Sequence, residues 1–181
     1  MQPQQRPYLT EEEYLAIERQ AEYKSEYYEG EMFALAGASI KHNYIVANLL
    51  AGLHSALRGK PCSVFSSDLR VKVQAAGLYT YPDVVVVCGE LITDDKYRDT
   101  ILNPILIIEV LSESTEAYDR GKKFEKYRLI PELREYVLVA QDRPHVEVFT
   151  RSDATARWVL SEATGADAAI ELLSIECTLP L

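Results

Sequence analysis

The strongest regularity along the chain is helical: between Ser39 and about Arg58, the residues Ile45, Leu49, Leu53 and Leu57 recur every four positions, which lines one face of a helix. A shorter helix is predicted from Thr10, which forms a capping-box signature with Glu13, through Tyr14, Leu15 and Ile17 to about Gln20. After it, "EGEMFALAG" reads as a turn and a short strand. In "SVFSSDLRVKV" the period drops to two. Phe65, Leu69, Val71 and Val73 alternate with Ser66, Asp68, Arg70 and Lys72, which predicts a strand that is half exposed or lines a cleft. "YTYPDVVVVC" and "PILIIEVLS" are apolar on both faces, as expected of strands covered on both sides. A helix from about Glu116 to Leu129 follows, then "REYVLVA" and "HVEVFT" joined by "QDRP" as a hairpin, then "ARWVL" as a further edge strand. This order of elements predicts an α/β fold with a central mixed β-sheet flanked by helices.

One residue breaks the pattern. Glu109 sits among aliphatic residues in a strand that otherwise reads as wholly buried, and an isolated buried carboxylate costs several kcal/mol. It therefore needs a partner, a metal or a raised pKa. A structural ion pair with a Lys or Arg of the covering helix is one solution. Asp83 suggests another: it follows Pro82 and opens the run Val84 to Val87. It is either a turn residue or, if the two strands are neighbours, a second carboxylate converging with Glu109. Two such acids suit a hard divalent cation such as Mg²⁺. Asp119, Lys123 and Tyr127 are spaced i, i+4, i+8, near one helical face. They form either a surface Asp119–Lys123 pair or a face that brings the Lys123 ammonium to the carboxylates, with Lys122 in solvent.

Composition narrows the setting. A chain of 181 residues without a linker, repeat or low-complexity stretch is expected to fold as a single domain over 1–181. The start lacks the basic and then apolar run of a secretory signal, and no apolar stretch approaches the roughly 18 residues of a membrane span. The expectation is a cytoplasmic protein with no membrane partner. Cys62, Cys88 and Cys177 are widely spaced with no CxxC and are expected to be reduced thiols. The net charge of −9 argues against nonspecific attraction to nucleic acid. Acids crowd the first 31 residues, whereas "DRGKKFEKYR" is locally basic, as either a solvated helix face or a phosphate-facing patch.

Taken together, "YPDVVVV", "PILIIEVLSEST", "YDRGKKFEKY" and "REYVLV" resemble the Uma-two family of restriction-endonuclease-like proteins, a branch of the PD-(D/E)XK nuclease superfamily. "YYEGEMFALAGASIKHNYI" and "VFSSDLRVKV" extend the resemblance over about residues 10–160. It implies a restriction-endonuclease-like core and a metal-dependent endonuclease that hydrolyses phosphodiesters in nucleic acid, with DNA as the expected polymer. Mg²⁺ (or Mn²⁺) would lie between Asp83 and Glu109. The superfamily places a lysine two residues after the acid, where this chain has Leu111; the family's D-x3-K-x3-Y helix points instead to Lys123, with Asp119 and Tyr127 beside it. Glu31 in "EGEMF" matches a family acid and is either an outer ligand, a support for Lys123, or merely exposed. His42 is either a core residue or part of the surrounding shell, and Asp68 either lines the cleft or pairs with Arg70 or Lys72. Specificity would come from loops such as 89–103. A homodimer is expected, with the hairpin edge near residues 134–150 as its contact. A nuclease-fold binding module without efficient cleavage is the alternative, favoured by the acidity and by Leu111.

Overall fold

A central mixed β-sheet, a second five-stranded sheet and a two-stranded hairpin organise the described residues. The computed structural model describes residues 8–152, 155 and 157–181. The stretch 1–7, where no leader is expected, and Ala156 of "ARWVL" lie outside them. In chain order the elements are α1 (Glu11–Glu18), β1 (Ser25–Tyr28), β2 (Glu31–Ala34), α2 (Ile40–Ala56), β3 (Cys62–Ser66), β4 (Arg70–Val73), β5 (Leu78–Thr80), β6 (Val84–Cys88), β7 (Thr100–Ile101) and β8 (Leu106–Val110). A helical segment follows as α3 (Glu116–Tyr118), a π-helical turn (Asp119–Lys123) and α4 (Phe124–Tyr127). The chain continues with β9 (Glu135–Val139), β10 (His145–Arg151), β11 (Trp158–Thr164), β12 (Ala169–Leu172) and β13 (Cys177–Pro180).

The central sheet is mixed, in the order β11-β10-β9-β8-β6-β3. Within it β8 and β9 run parallel, and the helical segment makes the crossover between them, as a parallel pair requires. The aliphatic runs at 84–88 and 106–110 are its inner strands because both their faces are covered. On one face, Val84, Val86, Leu106 and Ile108 pack with Leu53 and Leu57 from α2 and its end, and with Ile170, Leu172 and Leu179 of the β12–β13 hairpin. On the other, Val85, Val87 and Ile107 pack with Phe124, Tyr127 and Tyr136 and with Val71, Val73 and Leu78 of the second sheet. That second sheet has the order β2-β1-β5-β4-β7.

Several expectations are corrected. The alternating stretch 63–73 is not one strand: Ser67 and Asp68 turn the chain, sending β3 to the central sheet and β4 to the second one. Alternation is preserved on each side of the turn, so period alone does not reveal the break. The 134–150 hairpin is not an edge, because β11 pairs with β10 from Trp158 to Thr164, and the expected dimer contact is therefore interior. Cys62 and Cys88 face each other across the β3–β6 ladder and form a disulfide, leaving Cys177 as the free, buried thiol. Spacing in sequence could not reveal that pair, since antiparallel register brings the two residues together. No described helix is long and apolar enough to cross a membrane.

The unreduced, denatured chain is therefore expected to react with thiol reagents at one cysteine and, after reduction, at three. Three reactive thiols before reduction would contradict the β3–β6 bridge.

Candidate functional site

Antiparallel register creates the first juxtaposition. β6 and β8 pair with Val84 opposite Ile108, so the next position along sets Asp83 opposite Glu109. The Asp83 backbone N–H donates to Glu109 Oε2 over a long 3.4 Å, and the Val110 N–H donates to Asp83 Oδ2 at 2.8 Å. Asp83 is thus fixed by the backbone of the strand that carries Glu109. On its other side, His42 Nε2 lies 3.1 Å from the same Asp83 oxygen. The hydrogen bond to Asp83 raises the His42 pKa, while its Nδ1 is buried without a partner.

The helical segment supplies the cation. Lys123 is 6% exposed, and its Nζ lies 2.9 Å from Glu109 Oε1, 3.1 Å from Glu26 Oε1 and 3.6 Å from Asp119 Oδ1. The Tyr127 hydroxyl donates to Glu109 Oε1 at 2.9 Å and lies 3.3 Å from the Thr80 hydroxyl, which in turn donates to Glu26. Glu109 is therefore divided: Oε1 serves Lys123 and Tyr127, while Oε2 faces Asp83.

Three carboxyl groups thus surround one ammonium in a buried space. Burial pushes the Glu109 carboxyl up to about 8, against the pull of Lys123, and burial also raises Asp119. Burial alone would lower Lys123, but Glu109, Glu26 and Asp119 hold it well above its ordinary value. The cluster carries more negative than positive charge, a condition that a bound cation would relieve.

The sequence-derived candidates do not all converge. Asp83, Glu109, Lys123, Asp119 and Tyr127 meet, with His42 beside Asp83. His42 does share the inward face of α2, but at its first turn that face overhangs the end of β6 and reaches an acid rather than a core. Lys122 is exposed, as expected. Glu31 is exposed on β2 and is not among the residues lining the cleft above the carboxylates. The acid that supports Lys123 is Glu26 rather than Glu31. Its sequence signal is an acid inside the four-residue tyrosine-rich strand "SEYY", and the richer acid content nearby masks it. Asp68 is exposed in the turn and pairs with Lys24 at 2.9 Å rather than with Arg70 or Lys72.

The cleft has a volume of about 1010 Å³. Its floor is Asp83, Glu109, Asp119 and Lys123, and its walls come from residues 35–43 and 111–115. A separate cluster lies on the β10–β11 ladder, where one ligand atom each from His145, Glu147 and Glu162 fall within 4.8 Å of one another. Glu147 and Glu162 are cross-strand partners, so their charges repel. The group is able to coordinate a metal ion. Arg120 already pairs with Glu147, and His145 Nδ1 is 2.9 Å from the Thr164 hydroxyl.

Comparison with known proteins agrees with this architecture. A family model described as "Uma2: Putative restriction endonuclease" matches residues 11–181. The chain is 39% identical over 163 residues to "Uncharacterized protein sll1609" of Synechocystis sp. (strain ATCC 27184 / PCC 6803 / Kazusa), covering 90% of this chain and 92% of that one. It is 37% identical over 169 residues to "Uncharacterized protein slr1290" of the same organism, covering 93% and 87%. Among solved structures it is similar to "a putative nuclease belonging to DUF820 from Anabaena variabilis ATCC 29413", with a TM-score of 0.75, 19% identity and 93% of each chain covered. At that identity the likeness is one of fold.

The raised Glu109 pKa has a consequence for stability. Because the folded form binds this proton more tightly than the unfolded one, whose pKa is near 4.5, the metal-free protein gives up stability as pH rises from about 5 to about 8. Glu109→Gln is expected to flatten that slope in urea melts across this range. An unchanged slope would show that Glu109 is ionised throughout.

Proposed function

This chain belongs to the Uma2 family, and from that premise we propose that it is a divalent-metal-dependent nuclease that hydrolyses phosphodiester bonds in nucleic acid, with DNA as the proposed polymer. The observation that carries this reading is the register-set pairing of Asp83 with Glu109 beside a buried lysine. Neither partner is needed there to hold apolar strands together, and buried charge is seldom favourable for stability alone.

Mg²⁺ or Mn²⁺ is the proposed ion, and the residues fit one. Glu109 Oε2 takes only the long 3.4 Å bond from the Asp83 backbone N–H, so it keeps acceptor capacity on the side of the residue that carries a second carboxylate, and paired carboxylates are the hard-oxygen ligands such ions prefer. Asp83 and Glu109 would hold the ion, which when bound would lower the pKa of a water and draw charge from the phosphate. The remaining chemistry belongs to the chain. Lys123, anchored by Glu26 and Asp119, would orient the attacking water or offset charge on the phosphate oxygens. Tyr127 keeps the Glu109 carboxylate turned so that its second oxygen faces Asp83. His42 and the Val110 N–H fix Asp83, and burial of the floor keeps competing water from the carboxylates. The β10–β11 cluster of His145, Glu147 and Glu162 is a less favoured metal position, because Arg120 already offsets part of its charge.

A binding module on the same fold is the second reading, favoured by the −9 charge and by an ammonium already engaged by three carboxylates.

Purified protein is expected to cut labelled nucleic acid with Mg²⁺ or Mn²⁺ and not with EDTA. Asp83→Ala, Glu109→Ala and Lys123→Met should each lower the rate on the order of a hundredfold or more, with folding checked by circular dichroism. Glu109→Ala should not unfold the chain, because Glu26 and Asp119 still face Lys123. No metal-dependent cutting by the wild type, with nucleic-acid binding indifferent to Asp83→Ala, would favour the module.

A further inference from the structure

The cleft continues past its carboxylates. Beside it runs a groove of about 560 Å³ between α2 and the β9–β10 turn, and the two hollows share Lys41, Gln141 and Asp142. The groove has apolar walls, including Ile45, Leu49, Val146 and Leu179, and the Asn48 carboxamide stands on it. Asn48 has no side-chain hydrogen bond among the described residues.

The shared rim carries one lysine, Lys41, and one acid, Asp142, which is already paired with Arg143. Three lysines line the cleft. Two are engaged, Lys24 by Asp68 and Lys123 by the buried carboxylates. Lys41 is exposed, with no carboxylate partner among the described residues. It occupies the first turn of the 17-residue helix α2, which contains no acid. There the helix dipole is already positive, so a lysine is unfavourable unless an anion sits nearby.

We propose that the groove is a nucleobase subsite: it takes a base of the strand whose scissile phosphate lies in the cleft, with Lys41 on the phosphate that joins the two. This inference rests on the nuclease reading of the cleft. A nucleobase has apolar faces and a hydrogen-bonding edge, which apolar walls with a free carboxamide match. The groove volume lies within the roughly 300–1,000 Å³ typical of small-ligand sites. A base stacked and paired in a duplex cannot enter such a groove. The substrate is therefore a single strand, or a locally unpaired one, rather than intact duplex. Continuity with the cleft and the unpaired cation at the junction choose this occupant over a purely apolar one.

The test is fluorescence anisotropy with the full chain in Ca²⁺, using a labelled single strand of mixed sequence, long enough that its matching blunt duplex stays paired at the assay temperature, that duplex, and single strands carrying one abasic residue at each position in turn. Single strand is expected to bind about tenfold or more tightly than duplex, and one abasic position should weaken binding by about tenfold. Lys41→Ala should reduce the slope of log affinity against log salt by about 0.7, the value for one phosphate contact on a single strand. Asn48→Ala, at an exposed position that tolerates change, and Leu49→Glu should each shrink the abasic penalty. Equal affinity for duplex, or no abasic position that matters, overturns the subsite. Metal-dependent cutting abolished by Asp83→Ala would then still stand. Base-dependent binding without cutting by any metal does the reverse, sinking the nuclease reading and keeping the groove. A dimer that Leu49→Glu dissociates while oligonucleotide binding is unchanged would show that a second copy covers the groove, and the proposal falls.

Discussion

Lys123 holds its ammonium where three separate parts of the chain deliver carboxylates: Glu109 from the central sheet, Glu26 from the second sheet and Asp119 from its own helical turn. No single element could satisfy a buried lysine in this way, and no single acid could be buried here without it. The charge cluster therefore acts as a fastening between layers. Beside the apolar contacts of Val71, Val73 and Leu78, it ties the second sheet to the helical segment, since Glu26 and Thr80 come from that sheet and Lys123 and Tyr127 from the helix. The arrangement is costly in desolvation, and an apolar core of the same volume would be no less stable. Its persistence is better understood through the oxygen of Glu109 that it leaves facing Asp83.

The elements most readable in the sequence are those whose pattern is set by one neighbour. The capping box at Thr10 is local and is found as expected, with Glu13 reaching back to the Thr10 N–H at 2.8 Å. The long helix from Ser39 follows its four-residue spacing. The aliphatic runs at 84–88 and 106–110 form inner strands because both faces are covered. What the sequence pattern does not reveal depends on the partner rather than on the segment. β1 is only four residues long and mixes acid with tyrosine, so nothing in "SEYY" announces that Glu26 points inward while Glu31, five residues on, does not. The β12–β13 hairpin covers a core face with a short alternating pattern that has no strong turn signal.

The candidate site was legible in outline. An acid inside a wholly aliphatic strand is a conspicuous misfit, and PD before a second such strand supplied its counterpart. The absent lysine at Leu111 is also physically sensible: Lys123 already sets an ammonium 2.9 Å from Glu109, and Leu111, buried at the cleft wall, packs in the apolar cluster beside it. His42 was ambiguous because helical periodicity reports which face a residue occupies, and not what stands opposite the end of that face.

The π-helical turn at Asp119–Lys123 carries one more residue than an α-helical turn of the same span. Removing a residue from it would restore the regular ladder, but would rotate everything on one side by roughly 100° relative to the other. Lys123 and Tyr127 would then leave the carboxylates, or Phe124 would leave the aromatic stack it shares with Tyr136. The length of this one turn is thus under tighter constraint than the identity of its exposed residues. Gly121 and Lys122, both exposed, are expected to tolerate substitution, whereas a residue added or removed between Asp119 and Lys123 is not expected to be tolerated.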